Sequence, residues 1–322
     1  MHSSGSLLSG STTPCSIRVF RPNKSIYTES MKQYLSLADH TFEIEGGKSL
    51  SRMMRLEGFG QFAVKNPSQD LFRLELDAKL PRSHQGKQVL FRCNEEALRQ
   101  RYELGMADEC LYFSFSDKYG RYFYMMRPPV PHYLVGSSCF HNEQTRFSLW
   151  MAVAMLGSSA GIIPIHASAV IYKGGAILFL GESGTGKSTR SKLWLNTFRR
   201  SELLNDDSPL LSVGLRGVEV YGSPWSGKTP CYRNEHYPLT AVVRLARSSS
   251  DRLIRLGGTE ALSALLPSCP PALAQVPEFL DQTLLNLDRL INHVPVYQMR
   301  FRVEPEPSVR PIVMLYNELF GR

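Results

Sequence analysis

Gly181-Glu182-Ser183-Gly184-Thr185-Gly186-Lys187-Ser188 has the spacing G-x-x-x-x-G-K-[ST]. Residues of these types, so spaced, bind phosphate. Glycines let backbone N–H groups approach phosphate oxygens closely. A helix starting at the end of the loop adds unpaired N–H groups and the positive end of its dipole. Lys187 is placed to reach the β- and γ-phosphates and the Ser188 hydroxyl to bind Mg²⁺. Thr189 continues the phosphate-facing first turn. The run AILFL before the loop reads as a buried strand, and KSTRSKLWLNTF after it reads as a helix anchored by Leu193, Trp194 and Phe198. A Gly/Ser-rich turn that matches by chance would not sit between a strand and a helix.

Two further clusters belong with the loop. In SELLNDDSPLLSV, apolar residues lead into Asp206 and Asp207, as in a strand that delivers charge to a sheet edge. One carboxylate of such a pair can hold Mg²⁺ and the other can take a proton from an attacking hydroxyl. A solvated Asp-Asp-Ser turn is the alternative, and the phosphate loop upstream favours the site. The third element is His166. ASAVIY and AILFL flank Lys173-Gly174-Gly175, a hairpin signal. With Gly174-Gly175 as the turn, residue 166 lies opposite 183; with the turn one residue earlier, it lies opposite 181. Both registers bring the imidazole to the mouth of the loop.

These residues together resemble the catalytic domain of HPr kinase/phosphorylase. That family shares its nucleotide-binding fold with the ATP-dependent phosphoenolpyruvate carboxykinases. The chain looks most like HPr-kinase-like proteins of bacteria, which include accessory proteins encoded near peptide-modification genes. The resemblance covers residues 160 to 245 well, the remaining C-terminal part loosely and the N-terminal part hardly at all. It implies an ATP- and Mg²⁺-dependent kinase. Gly181 to Ser188 would bind the ATP phosphates and Lys187 would contact the transferring group. Asp206 would be the general base with His166 beside it, and Asp207 the metal ligand with Ser188. The family's run like E-L-R-G-I-G after the Asp pair is absent, so phosphorylase chemistry and HPr as acceptor are not carried over. In its place stands the 219–239 stretch, where Gly222, Ser223, Pro224 and Trp225 make a rigid turn and Lys228 and Arg233 supply positive charge. It reads equally as a substrate loop or as a structural surface loop. HPr-kinase-like enzymes also tend to form oligomers, so a homo-oligomer is part of the same expectation.

The elements that must hold these groups are legible more coarsely. Residues 15–142 show period-two alternation, as in FRLELDAKL, where Phe72 to Leu80 reads as one strand. TFEIEG and QVLFRC add strands, and LYFSFSDKYGRYFYMM reads as a hairpin turning near Asp117 to Gly120. A mostly antiparallel β-rich N-terminal domain is expected there, after a disordered leader over 1–14. Residues 143–322 read as an α/β P-loop kinase domain of the HPr kinase/carboxykinase type, α+β overall, with 143–165 as a linking helix and turn. Helices are expected over Glu143 to Leu156, near Thr259 to Leu266, near Glu278 to Asn292 and at the C-terminus, with a strand in PVYQMRFRV.

Composition bounds the rest. The net charge of +8 favours anionic partners such as nucleotides. No RNP-type aromatic run or finger spacing points to nucleic acid. N-K-x-D and LSGGQ-like motifs are absent, which argues against a GTPase and a transporter cassette. Cys15, Cys93, Cys110, Cys139, Cys231 and Cys269 form no C-x-x-C pair, so a reducing, cytoplasmic setting is expected. LWMAVAMLGSSAGIIPI is broken by Gly157 and Gly161 and is too short to span a membrane. The function expected is transfer of the γ-phosphoryl group to a hydroxyl of a protein, a peptide or a small molecule. An ATP-gated binding module and a plain ATPase are the alternatives.

Overall fold

A computed structural model describes residues 30–65, 67, 71–80, 87–95, 100–107, 109–119, 122–128, 133–138, 141–227 and 229–321. The 1–14 leader, Cys15, Cys139, Gly120 and Lys228 lie outside them.

Two large sheets organise a mixed α/β chain. The first contains β1 (Met31–Leu37), β2 (His40–Gly46), β3 (Ala63–Val64), β4 (Leu71–Glu75), β5 (Gln88–Glu95), β6 (Gln100–Ala107), β7 (Cys110–Ser116), β8 (Tyr122–Arg127) and β9 (Tyr133–Gly136). Their order is β3-β1-β2-β4-β9-β8-β7-β6-β5. β4 runs parallel to β2 and β9; the other neighbours are antiparallel. Phe72, Leu74 and Leu76 are buried as the alternation requires. The strand nevertheless ends at Glu75 rather than Leu80. Asp77 has φ 63°, and its carboxylate accepts from Gly47 N and from the backbone and side chain of Ser49, at the start of α1 (Lys48–Met53). A capping role has displaced the strand.

α2 (Asn142–Gly157) covers this sheet, with Leu149, Ala152, Val153 and Leu156 in the core. The stretch after it is not a simple turn, because Ile162–Pro164 forms β10.

The second sheet holds β10, β11 (Ala167–Tyr172), β12 (Gly175–Leu180), β13 (Glu202–Asp207), β14 (Leu210–Gly214), β15 (Gly217–Tyr221) and β16 (His236–Arg247), in the order β10-β14-β15-β16-β12-β11-β13. β17 (Arg252–Leu256) pairs with β18 (Val296–Phe301), which pairs with β16. Alternate residues of β12 face opposite sides. Ile177 and Phe179 pack with Trp194 of α3 (Lys187–Thr197) and Ile312 of α6 (Arg310–Phe320). Leu178 and Leu180 pack with Leu265 of α4 (Gly258–Leu265) and Leu287 of α5 (Pro277–His293). Helices on both faces leave the strand ends as the open edge where a site can form. Among the described residues, no helix is long and apolar enough to cross a membrane.

Candidate functional site: one edge of the second sheet

Neighbouring strands bring the singled-out residues to one edge. Lys173 and Gly174 have φ of 50° and 79°, and Tyr172 faces Gly175, so the hairpin turns on Lys173-Gly174. That selects the earlier of the two registers and puts His166 opposite Gly181. β13 lies against the other side of β11, with Ala167 opposite Asp207 and Ser168 opposite Asp206. The Asp pair, His166 and the loop therefore arrive side by side.

The loop folds on itself. Thr185 N and Oγ1 both donate to Glu182 O. Gly184 and Gly186 take φ of 77° and 103°, which L side chains rarely adopt. A Cβ at Gly184 would meet nothing within 4 Å, so backbone conformation rather than space requires glycine there. No side chain caps α3 at Gly186, and its first N–H groups face the loop mouth.

Lys187 Nζ lies 2.8 Å from both Gly181 O and His166 Nε2 and 3.3 Å from Glu182 O. Since the ammonium has only donors, Nε2 accepts and the imidazole proton sits on Nδ1. Nδ1 is 3.2 Å from Asp207 O and 3.3 Å from its Oδ1. A polar chain thus runs from Lys187 through His166 to Asp207. Burial holds the Lys187 ammonium below the usual lysine range; Asp207 and Asp206 oppose this, and Arg244 adds to it.

The Asp pair divides. Asp206 is buried, and its Oδ1 accepts from Ser188 Oγ at 3.0 Å. Ser188 thus bonds Asp206, whereas the resemblance pairs it with Asp207 at Mg²⁺. Asp207 points outward, with its side chain 44% exposed. The cause is the strand's alternation, which turns adjacent carboxylates to opposite sides. Among the described residues, no group of three or more His, Cys, Asp or Glu side chains could hold a metal. One hydroxyl and one carboxylate suit Mg²⁺ that completes its shell with water and phosphate.

The 219–239 stretch packs on this pair. Gly227 N donates to Asp206 O at 2.6 Å, and Ser226 bridges to Asp207. Asn205, fully buried, donates to Trp225 O at 2.9 Å and accepts from Ser208 N. Sequence reasoning missed Asn205, although its place before two aspartates in a strand was a usable signal. Arg233 is engaged by Glu202 of β13 and Glu235 of the loop at 2.6 and 2.8 Å, so its charge is satisfied by these two carboxylates. Two arginines of β16 were also missed. Arg247 donates to Gly184 O at 2.7 Å, and Arg244 lies beside Glu182.

No protein-family model and no curated protein matches the chain. Among solved structures, the HPr(Ser) kinase/phosphatase from Coxiella burnetii is similar over 48% of this chain and 96% of that one, at 11% identity and a TM-score of 0.30. A likeness at that level decides nothing about activity. The functional reading rests on the side chains described above.

Proposed function

We propose that this chain is a Mg²⁺-dependent phosphotransferase that moves the γ-phosphoryl group of ATP to a hydroxyl acceptor. The observation that carries the reading is the convergence of Lys187, His166, Ser188 and both aspartates on the loop at one sheet edge. Ser188 and Asp206 would hold Mg²⁺, which when bound neutralises charge on the phosphate oxygens. The exposed Asp207, oriented by His166, would take the acceptor's proton as its oxygen bonds to the γ-phosphorus and the bond to the β-phosphate oxygen breaks, leaving ADP. This exchanges the roles that the family resemblance implies for the two aspartates. The geometry supports the exchange because only Asp206 meets Ser188. Lys187 would leave His166 for the phosphates as nucleotide binds.

γ-Labelled ATP transfer to macromolecular and small-molecule fractions of the source extract tests the reaction. Asp207→Asn should bind Mg·ATP as wild type does and transfer nothing. Asp206→Asn and Ser188→Ala should shift the Mg²⁺ requirement upward. The reverse pattern would restore the family's assignment. A second reading is nucleotide-gated docking, favoured by the way the 222–235 loop joins the Asp pair to the segment between α1 and β3: Asn234 Nδ2 donates to Gln61 O, and Arg146 of α2 donates to both Glu57 O and Pro224 O. Tight ATP binding with no labelled product would select it.

A further inference from the structure

β16 passes beside the phosphate loop, and it places a cation there. Arg244 pairs in register with Leu180, the last residue before the loop. Its side chain is only 16% exposed. Arg244 Nη1 donates to Ser268 Oγ at 3.2 Å. Its nearest carboxylate, Glu182 Oε1, is 3.7 Å from Nη2 and belongs to a side chain 83% exposed. A guanidinium has five donors, and a largely buried one is expensive to leave with a neutral hydroxyl and a loose, solvated acid. The local structure nonetheless holds it there. Ser268 is buried; its backbone carbonyl accepts from His166 N at 2.8 Å while its hydroxyl accepts from Arg244. One residue thus fixes both the histidine's backbone and the arginine's head group.

The register shows where this charge lies relative to the chemistry. Asp207, Ala167, Leu180 and Arg244 form one row across four adjacent strands. At the usual strand spacing, the row's ends are ~14 Å apart. Lys187 lies between them, within reach of His166 and the loop carbonyls. The edge is polarised, acidic at β13 and cationic at β16. On the proposed phosphotransferase reading, on which this inference rests, the transferred group lies at the acidic end beside its base. The remaining phosphates extend toward β16.

We infer that Arg244 is a second phosphate-binding cation, which contacts the non-transferred phosphates and commits the site to ligands with at least two phosphate groups. A planar fork suits phosphate oxygens, and a point charge on a flexible stem replaces it only in part.

Calorimetric titration of Mg·ATP and Mg·ADP into wild type, Arg244→Gln and Arg244→Lys tests this, alongside ligand-free melting of each. Arg244→Gln should weaken both nucleotides alike, by about 10- to 100-fold, the range for losing hydrogen bonds to a charged group. Arg244→Lys should recover part of the loss. Ligand-free melting should not fall, because the glutamine removes a largely buried charge whose one carboxylate neighbour, Glu182, is 83% exposed and contributes little. ATP affinity within twofold of wild type in Arg244→Gln would overturn the inference. So would a loss confined to ATP, which would put the guanidinium on the transferred group, or a lowered ligand-free melting temperature with no recovery in Arg244→Lys, which would make the role structural. Wild type without affinity for either nucleotide would overturn the phosphotransferase reading as well.

Discussion

Asp207 has φ of 154°, a backbone value that side-chain-bearing residues rarely take. It holds this value between β11 and the bridge to Ser226. On the proposed function, this strain is held at the residue that would take the acceptor's proton. Glycine adopts the same backbone freely, whereas alanine keeps the strain and loses only the carboxylate. Asp207→Gly should therefore be more stable than Asp207→Ala by about 1 kcal/mol, after allowing for glycine's larger unfolded-state entropy. Both should lack transfer, and urea denaturation would measure the difference. Glu103, far from this edge, makes a pH prediction. Burial would raise its carboxyl, but hydrogen bonds from Lys87, Arg92 and Tyr112 outweigh burial and hold it at about 2 rather than 4.5. The folded state then binds its proton less readily than the unfolded chain. The resulting stabilisation is present above pH 4.5 and is lost as pH falls toward 2. The melting-temperature advantage of wild type over Glu103→Gln should shrink across that window. At this scale spacing in the sequence singled out the glycine loop and Asp206-Asp207, which the structure brings to one sheet edge. It was silent on Arg244, because each of the two arginines in VVRLAR reads only as a strand's polar position, and the partners of Arg244, Glu182 and Ser268, come from distant segments.

Among the elements, the 222–235 loop depends on a close backbone approach. A Cβ on Gly222 would lie 1.8 Å from Arg233 O, and Gly222 N donates to Glu235 O at 2.9 Å. Neither strand of the loop can yield without losing that bond. Gly222→Ala should destabilise the protein by at least about 1–3 kcal/mol, the usual range for overpacking. It should also release Trp225, whose Nε1 donates to Arg146 O at 2.8 Å. Denaturant melts and tryptophan fluorescence would read both effects. The sequence marked this stretch as a rigid turn with an aromatic, which its buried Ser223 and Trp225 match in character. Its seat against the Asp pair depends on the bonds from Asn205 Nδ2 to Trp225 O and from Gly227 N to Asp206 O, which no local pattern encodes. The β11–β12 hairpin was legible because its turn chemistry is local, and only the choice between two registers rests on the pairing in the fold. β4 shows the opposite case, since alternation continues through Leu76 while the Asp77 cap ends the strand.

Across the whole molecule, the proposed division near residue 142 separates sheets more cleanly than it separates cores. One hydrophobic cluster contains Phe42, Phe72 and Phe113 of the first sheet together with Leu210, Tyr221, Trp225 and Phe279 from later in the chain. Phe59 meets Trp225 edge-on at 5.8 Å, and Arg127 pairs with Glu278 while lying over Phe279. Shared burial of this kind couples the two sheets energetically, because opening either one exposes part of the other's core. Heating should then give one transition, with intrinsic fluorescence from Trp150, Trp194 and Trp225 coinciding with far-ultraviolet circular dichroism. Phe59→Ala tests the joint directly. It removes a fully buried ring from the contact with Trp225, so it should destabilise by about 3–5 kcal/mol. If the joint is what couples the sheets, the same substitution should separate the two probes' transitions, the second sheet melting later when Mg·ATP is present. Coincident curves in both proteins would mean that the remaining contacts couple the sheets without Phe59. Separated curves in wild type would mean that the shared cluster does not bind the two sheets into one cooperative unit.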